Sequence, residues 1–147
     1  MDVLLVLTLA VTGFVGCGEF ASVALVHPVI RTLPEDSQLL MEQGLLRTFG
    51  RVMPVGMTAA PVLAGLSAAQ TQNPWYVAAA VVLTVALVVT IVGNVPINLR
   101  TGQIRATRAP EGFIAMRRRW DLFQLVRGSL QLLGFLLVAV AVVAGAA

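Results

Sequence analysis

The chain has 147 residues, of which 58% are hydrophobic and only 12% are charged, and its mean hydropathy is +0.89. Soluble domains carry roughly a quarter of their residues as charged side chains, and a water-soluble fold of this length could not bury so much apolar surface, so the composition indicates an integral membrane protein. All ten basic residues are arginine and seven of them lie between Arg100 and Arg127 beside apolar segments, a pattern that sets membrane orientation and contacts anionic lipid, so the basic pI does not indicate nucleic acid binding.

Four apolar segments follow in chain order, and each approaches the roughly 20 residues that a helix needs to cross the hydrocarbon core. Only helices satisfy their own backbone polar groups in lipid with this pattern, so we predict an all-α bundle of four transmembrane helices in a single domain over residues 1–147. The first segment has no basic n-region and no cleavage site leading into a soluble domain, so we expect a mature helix rather than a signal peptide. The predicted spans are Val3–Val26, Val52–Ala69, Trp75–Val95 and Phe123–Val143.

The connections between these spans differ in length. The sequence "TQNPW" (residues 71–75) predicts a tight hairpin, whereas residues 31–51 and 96–119 form long connections, the first of them predicted to be a helix leading into the second span. Every arginine lies in or beside the two long connections, and the opposite side carries only Asp2. The positive-inside rule therefore predicts that both long connections are cytoplasmic and both termini outside, in the plasma membrane if the protein is bacterial.

Polar side chains of all four predicted helices lie at one depth, near the cytoplasmic end. On the fourth helix they form one stripe, at positions i, i+4, i+7 and i+11 from Trp120 to Gln131. Glu19 lies roughly 10 Å inside the inner boundary at 1.5 Å per residue. Charged and amide groups are costly against lipid, so these faces should point inward.

Prolines near this depth are expected to open space for a pocket. Pro28 lacks a backbone donor and clashes with the carbonyl four residues earlier, which predicts a kink at the end of the first helix. Pro54, Pro61 and Pro96 are expected to act similarly in the second and third helices. Kinked helices at one end of a bundle would leave room for a ligand.

The sequence contains no pattern typical of a metal or organic cofactor. One histidine, a single cysteine (Cys17) and scattered carboxylates fall short of an iron or copper site. The glycines of the first helix lie within a span rather than between a strand and a helix, so they do not form a dinucleotide-binding loop. We therefore expect no cofactor, with a hydrophobic small molecule and the lipid bilayer as partners, and the sequence leaves open whether the chain forms a homo-oligomer.

Three elements together resemble a small four-helix integral membrane family that includes the fungal anthrone oxygenases. They are a glycine-rich first helix that ends near a proline, "NVPIN" (residues 94–98) at the end of the third helix, and "WDLFQLVR" (residues 120–127) at the start of the fourth. The resemblance covers nearly the whole chain. The chain departs from the family pattern at Phe123, where a second tryptophan is common, and at Gln124, where asparagine or histidine is common.

The resemblance implies a membrane-embedded enzyme that oxidises a polycyclic or polyketide-like substrate with dioxygen and without a cofactor. A base would remove an acidic proton from a phenolic substrate, and the electron-rich anion would reduce dioxygen directly. His27 would be the base, Glu19 a proton relay, and Arg127 or Arg31 the cation that stabilises the anion. The substrate-binding residues would be Arg31, Asn94, Asn98, Trp120, Gln124 and Gln131.

Two other functions stay open at this stage. Because Gln124 stands where the family pattern commonly has asparagine or histidine, the same pocket could instead serve a natural-product cyclase or isomerase by acid–base chemistry. A non-enzymatic membrane subunit or transporter-like protein would instead have Glu19 and Arg127 paired with no cavity between them. In that interpretation Arg31 and Arg117–Arg119 are topology determinants, but Glu19 and Arg127 are harder to explain, because intramembrane charges are rare and usually functional.

Overall fold

The computed structural model describes residues 2–146, which form four long helices. Each helix contains a stretch that is long and apolar enough to cross a membrane, so the predicted all-α, four-helix membrane fold is confirmed. In cyclic order, each helix packs against the two beside it. The helices are α1 (Val3–Ile30), α2 (Glu35–Thr71), α3 (Pro74–Gln103) and α4 (Phe113–Ala146).

The helices extend beyond the predicted spans at the end of the bundle that carries the arginines, here called the arginine-rich end. α2 begins at Glu35 and continues into the second span without a break, as predicted for this connection. α3 continues past the predicted third span to Gln103, and α4 begins at Phe113, so the irregular connection is reduced to residues 104–112. The connection over residues 104–112 touches the first turn of α2, since the backbone N–H of Ala109 donates to Asp36 Oδ1 at 2.7 Å.

The opposite end carries the hairpin at Asn73 and is here called the hairpin end. Its helices are closely packed. Small side chains allow its helices to approach closely. A Cβ at Gly16 of α1 would lie 2.8 Å from the backbone oxygen of Gln131 on α4, and a Cβ at Gly134 would collide with Leu83 of α3. The fully buried apolar core lies here and consists of Ala60, Ala64, Tyr76, Ala79, Leu83, Val138 and Ala141.

Two π-helical turns interrupt α1 and α3 on the way to the arginine-rich end. They span Ser22–Val26 and Thr90–Asn94, and each is followed two residues later by a proline, Pro28 or Pro96. A wider turn accommodates a residue that lacks an N–H and would clash with the carbonyl four residues earlier. α2 stays a regular α-helix through both of its prolines, so the change in helix geometry expected at all four positions occurs in α1 and α3 but not in α2.

Candidate functional site

A cavity of about 470 Å³ lies between the four helices near the arginine-rich end, within the size range of small-molecule pockets. Apolar side chains of α2 and α3 form most of its wall, and both π-helical turns reach it through Ser22 and Thr90. Its polar groups come from all four helices. The polar lining residues that bear on chemistry are Glu19, His27, Glu42, Asn98, Trp120 and Arg127.

The deeper polar group, here called the deep cluster, consists of Glu19 on α1 with Gln124 and Arg127 on α4. Arg127 Nη2 and Gln124 Nε2 both donate to Glu19 Oε2 at 2.7 Å, and Arg127 Nε donates to Gln124 Oε1 at 2.6 Å. The remaining carboxylate oxygen, Glu19 Oε1, is buried and has no hydrogen-bond partner among the described residues. Two charges thus face each other where almost no surface is exposed, at 1% for Glu19 and 8% for Arg127.

The second group, here called the boundary cluster, lies nearer the arginine-rich end and consists of His27, Arg31, Glu42, Arg117 and Asp121. Arg117 Nη2 lies 2.6 Å from Glu42 Oε2, and Arg31 Nη1 donates to Glu42 Oε1 at 2.9 Å. Arg31 also donates to both oxygens of Asp121, at 2.6 and 2.8 Å. Burial alone would lower the pKa of Arg31, but its hydrogen bonds and the charges of the two carboxylates raise the pKa above its ordinary value.

The His27 ring lies between Glu42 of the boundary cluster and the aromatic ring of Trp120. Its Nδ1 lies 3.4 Å from Glu42 Oε1, and its ring centroid lies 4.5 Å from that of Trp120. Trp120 is fixed in turn, because its Nε1 donates to Asn98 Oδ1 at 2.7 Å and the Arg117 guanidinium lies 4.3 Å from its ring centroid. With Nδ1 turned to a carboxylate, Nε2 is the nitrogen left for a ligand in the cavity.

The nine residues that the sequence singled out are only partly brought together. The cavity wall contains five of them: Glu19, His27, Asn98, Trp120 and Arg127. Gln124 stands behind the wall, between Glu19 and Arg127. Arg31 is turned away from the cavity toward Asp121.

The last two of the nine, Asn94 and Gln131, are fully buried but do not line the cavity. Asn94 Nδ2 is 3.4 Å from the backbone oxygen of Trp120, and its Oδ1 has no partner. Neither amide atom of Gln131 has a partner in the part of the chain that the structure describes. These two side chains are therefore placed to pack the helices rather than to touch a ligand.

Two central residues, Glu42 and Arg117, were not among the site residues predicted from the sequence. Arg117 is only 1% exposed and is not a solvated topology determinant. Its position held a signal, because it precedes Trp120 by three residues and so extends the polar stripe of α4 by one turn. Glu42 lies on the face of α2 that continues through Met53 and Met57 to the core, but it carries no sign of its partners.

The structure agrees with one of the two features expected of the alternative, a non-enzymatic protein, and disagrees with the other. Glu19 and Arg127 are paired, as that alternative requires, yet both line a cavity that it does not predict. Among residues 2–146, no three histidine, cysteine, aspartate or glutamate side chains come close enough to hold a metal ion. The arrangement offers an imidazole backed by a carboxylate, and a guanidinium fixed by two partners, at the edge of an apolar space.

A family model described as anthrone oxygenase matches residues 38–137, which confirms the resemblance seen in the sequence. The match spans most of α2, all of α3 and most of α4, and so includes Glu42, Trp120 and Arg127. α1, with Glu19 and His27, lies before the matched region. Comparison with curated proteins and with solved structures finds no match.

Proposed function

Because the chain belongs to the anthrone oxygenase family, we propose that it is a membrane-embedded enzyme that oxidises an anthrone-like polycycle with dioxygen and without a cofactor. The observation that carries the proposal is the largely apolar cavity of about 470 Å³ with His27 and Arg127 in its wall. Apolar walls suit both a planar polycycle and dioxygen, and the polar groups suit a reaction that begins by forming an anion.

The first step is removal of a proton from the CH2 group of the central ring. This proton is acidic because the resulting anion is an aromatic enolate, conjugated with the carbonyl across the ring. His27 accepts the proton on Nε2, and Glu42, 3.4 Å from Nδ1, stabilises the imidazolium that forms. A positioned base of this kind contributes roughly 10²- to 10⁴-fold to the rate.

Arg127 stabilises the negative charge on the enolate oxygen. Its Nε and Nη2 are committed to Gln124 and Glu19, whereas Nη1 has only the Met57 sulfur near it, at 3.8 Å. Nη1 is therefore the group that can donate to a substrate oxygen. The two partners hold the guanidinium in place before substrate binds, and a donor fixed in advance stabilises developing charge most effectively.

Dioxygen then takes one electron from the enolate, and the radical and superoxide combine at the same carbon. The peroxide takes the proton held on His27. Loss of water from this hydroperoxide gives the second carbonyl group. The CH2 group becomes C=O, one oxygen atom of dioxygen enters the product, and the other leaves as water, so that no external reductant is needed.

The test uses the purified chain in lipid nanodiscs with an anthrone and ¹⁸O₂. We expect dioxygen consumption above the spontaneous rate and one ¹⁸O atom in each product molecule. His27→Ala should lower the enzymatic rate by roughly 10²- to 10⁴-fold. Thr58→Ala is the matched control, because this exposed hydroxyl on α2 bonds only to Pro54 of its own helix.

Three outcomes contradict the proposal at different points. An unchanged rate in His27→Ala removes His27 from the mechanism. Turnover that persists without dioxygen indicates a cyclase or isomerase in the same cavity. Binding without any turnover of an anthrone indicates a non-enzymatic protein.

A further inference from the structure

The cavity opens sideways between α2 and α3. Every lining residue contributed by α1 and α4 is buried, and all the exposed lining residues belong to α2 or α3. Most of the exposed lining side chains are apolar, including Leu99 at 61%, Val95 at 38% and Phe49 at 37%, and Gln103 is the polar exception. The opening therefore has a largely apolar rim that faces the surroundings of the bundle.

Contacts between α2 and α3 frame the opening at both ends. Toward the arginine-rich end, Gln43 Nε2 donates to the backbone oxygens of Thr101 and Ile104, at 3.2 and 2.7 Å. Toward the hairpin end, the fully buried Ala60 and Ala79 belong to the core that joins the two helices. Between these two sets of contacts α2 and α3 are separated by a gap, which is closed at both of its ends.

Two glycines leave part of the gap without side chains. Gly50 and Gly102 are exposed residues of the cavity lining on α2 and α3. A Cβ at Gly102 would point across the gap and lie 3.8 Å from Leu46 Cδ1, whereas a Cβ at Gly50 would meet only Leu46 of its own helix, at 3.6 Å. A large side chain at either position would occupy the opening.

The position of the gap along the helices indicates which layer of the membrane it opens into. The exposed arginines Arg47, Arg51 and Arg100 lie on the same stretches of α2 and α3 and mark the polar boundary of the membrane. Toward water, the boundary cluster closes the bundle, and its member Arg117 is almost fully buried. The gap thus opens into the interfacial layer of the bilayer, where a planar polycycle with polar substituents would accumulate.

We propose that this gap is a lateral portal through which the polycyclic ligand passes directly between the bilayer interface and the cavity. The proposal rests on the proposed function only in taking the ligand to be planar and largely apolar. The ligand would not need to cross the aqueous phase, and its concentration in the lipid would set the rate of entry.

The experiment follows entry without turnover. In a Trp75→Phe background, Trp120 is the only indole and lies in the cavity wall, so its fluorescence quenching reports arrival of 9,10-anthraquinone, a redox-stable probe. The protein is placed in nanodiscs and the quenching rate is measured by stopped flow. We expect the rate to follow the mole fraction of probe in lipid, and Gly102→Phe and Gly50→Phe each to slow it about tenfold.

Gly44→Phe is the matched control, because it makes the same change on α2 at a position with no atom within 4 Å of the added Cβ; its rate should stay within about twofold of the parent. A rate that follows the aqueous probe concentration, or rates equal to the control in both gap variants, would overturn the portal. Because quenching needs no reaction, anthrone oxidation with unaffected entry rates overturns the portal alone. If the two gap variants slow entry of the probe but no anthrone is oxidised, only the proposed activity is overturned.

Discussion

The deep cluster and the boundary cluster both pair arginines with carboxylates, but they differ in how many partners each charge has. In the deep cluster, Arg127 is the only cation among residues 2–146 that reaches Glu19, and both are buried. In the boundary cluster, Glu42 is shared by Arg31 and Arg117, and Arg31 also binds Asp121. Removing one partner therefore leaves an uncompensated charge in the first case and a rearranged network in the second. The contrast predicts a graded loss of stability.

The largest effect is expected for Arg127→Met, which leaves the Glu19 carboxylate buried without a cation. Breaking a buried ion pair from one side typically costs about 3–5 kcal/mol in the free energy of unfolding. The measurement is reversible unfolding in mixed micelles, followed by helical circular dichroism against the mole fraction of denaturing detergent.

Two variants sharpen this result. Arg118→Met removes an exposed arginine from the same helix and should leave the free energy of unfolding nearly unchanged. The double variant Glu19→Leu/Arg127→Met removes both charges, and such replacements are often close to neutral, so most of the loss should be recovered. If the double variant is as unstable as Arg127→Met, the loss comes from packing and not from the unpaired carboxylate.

An intermediate effect is expected for Arg117→Met in the boundary cluster. Glu42 loses the contact at 2.6 Å but keeps Arg31 at 2.9 Å, so its charge stays compensated. The cost should be that of one polar contact to a charged group, about 1.5–3 kcal/mol in the free energy of unfolding. The same unfolding assay measures it. A loss as large as that of Arg127→Met would show that Arg31 does not compensate, and the contrast between the two clusters would fail.

The deep cluster was easier to predict from the sequence than the boundary cluster. A charge within an apolar span must face inward, so the sequence already placed Glu19 and Arg127 on inward faces, and their pairing was expected only for the non-enzymatic alternative. Arg117 was obscured by its neighbours, because a run of three arginines carries a topology signal that hides the one residue on the buried stripe. Helical periodicity predicts which face of a helix a residue lies on, but not which side chain lies opposite. Gln131 lies on the same stripe as Arg127, yet its amide has no partner among the described residues.

The ends of the helices were the harder part for a related reason. Arg31 follows the π-helical turn and Pro28, and helical periodicity no longer fixes the direction of the chain after such an interruption. Its bond to Asp121 could not be derived from spacing. The wider turn itself could have been anticipated at Pro28 and Pro96, but the regular helix through the prolines of α2 shows that the residue type alone does not decide it.

The smallest effect is expected for Asp121→Asn, at the rim of the boundary cluster. The side chains of Arg31 and Asp121 are 22% and 30% exposed, so water already stabilises both charges and Arg31 keeps Glu42 as a partner. The loss should be about 0–1 kcal/mol and should shrink as salt is raised, because partly exposed pairs are screened over roughly 8–10 Å at physiological ionic strength. Unfolding of Asp121→Asn and Arg117→Met at low and high salt measures the difference. The buried Arg117–Glu42 contact should show almost no salt dependence, and equal dependence in the two variants would place both contacts in the same environment.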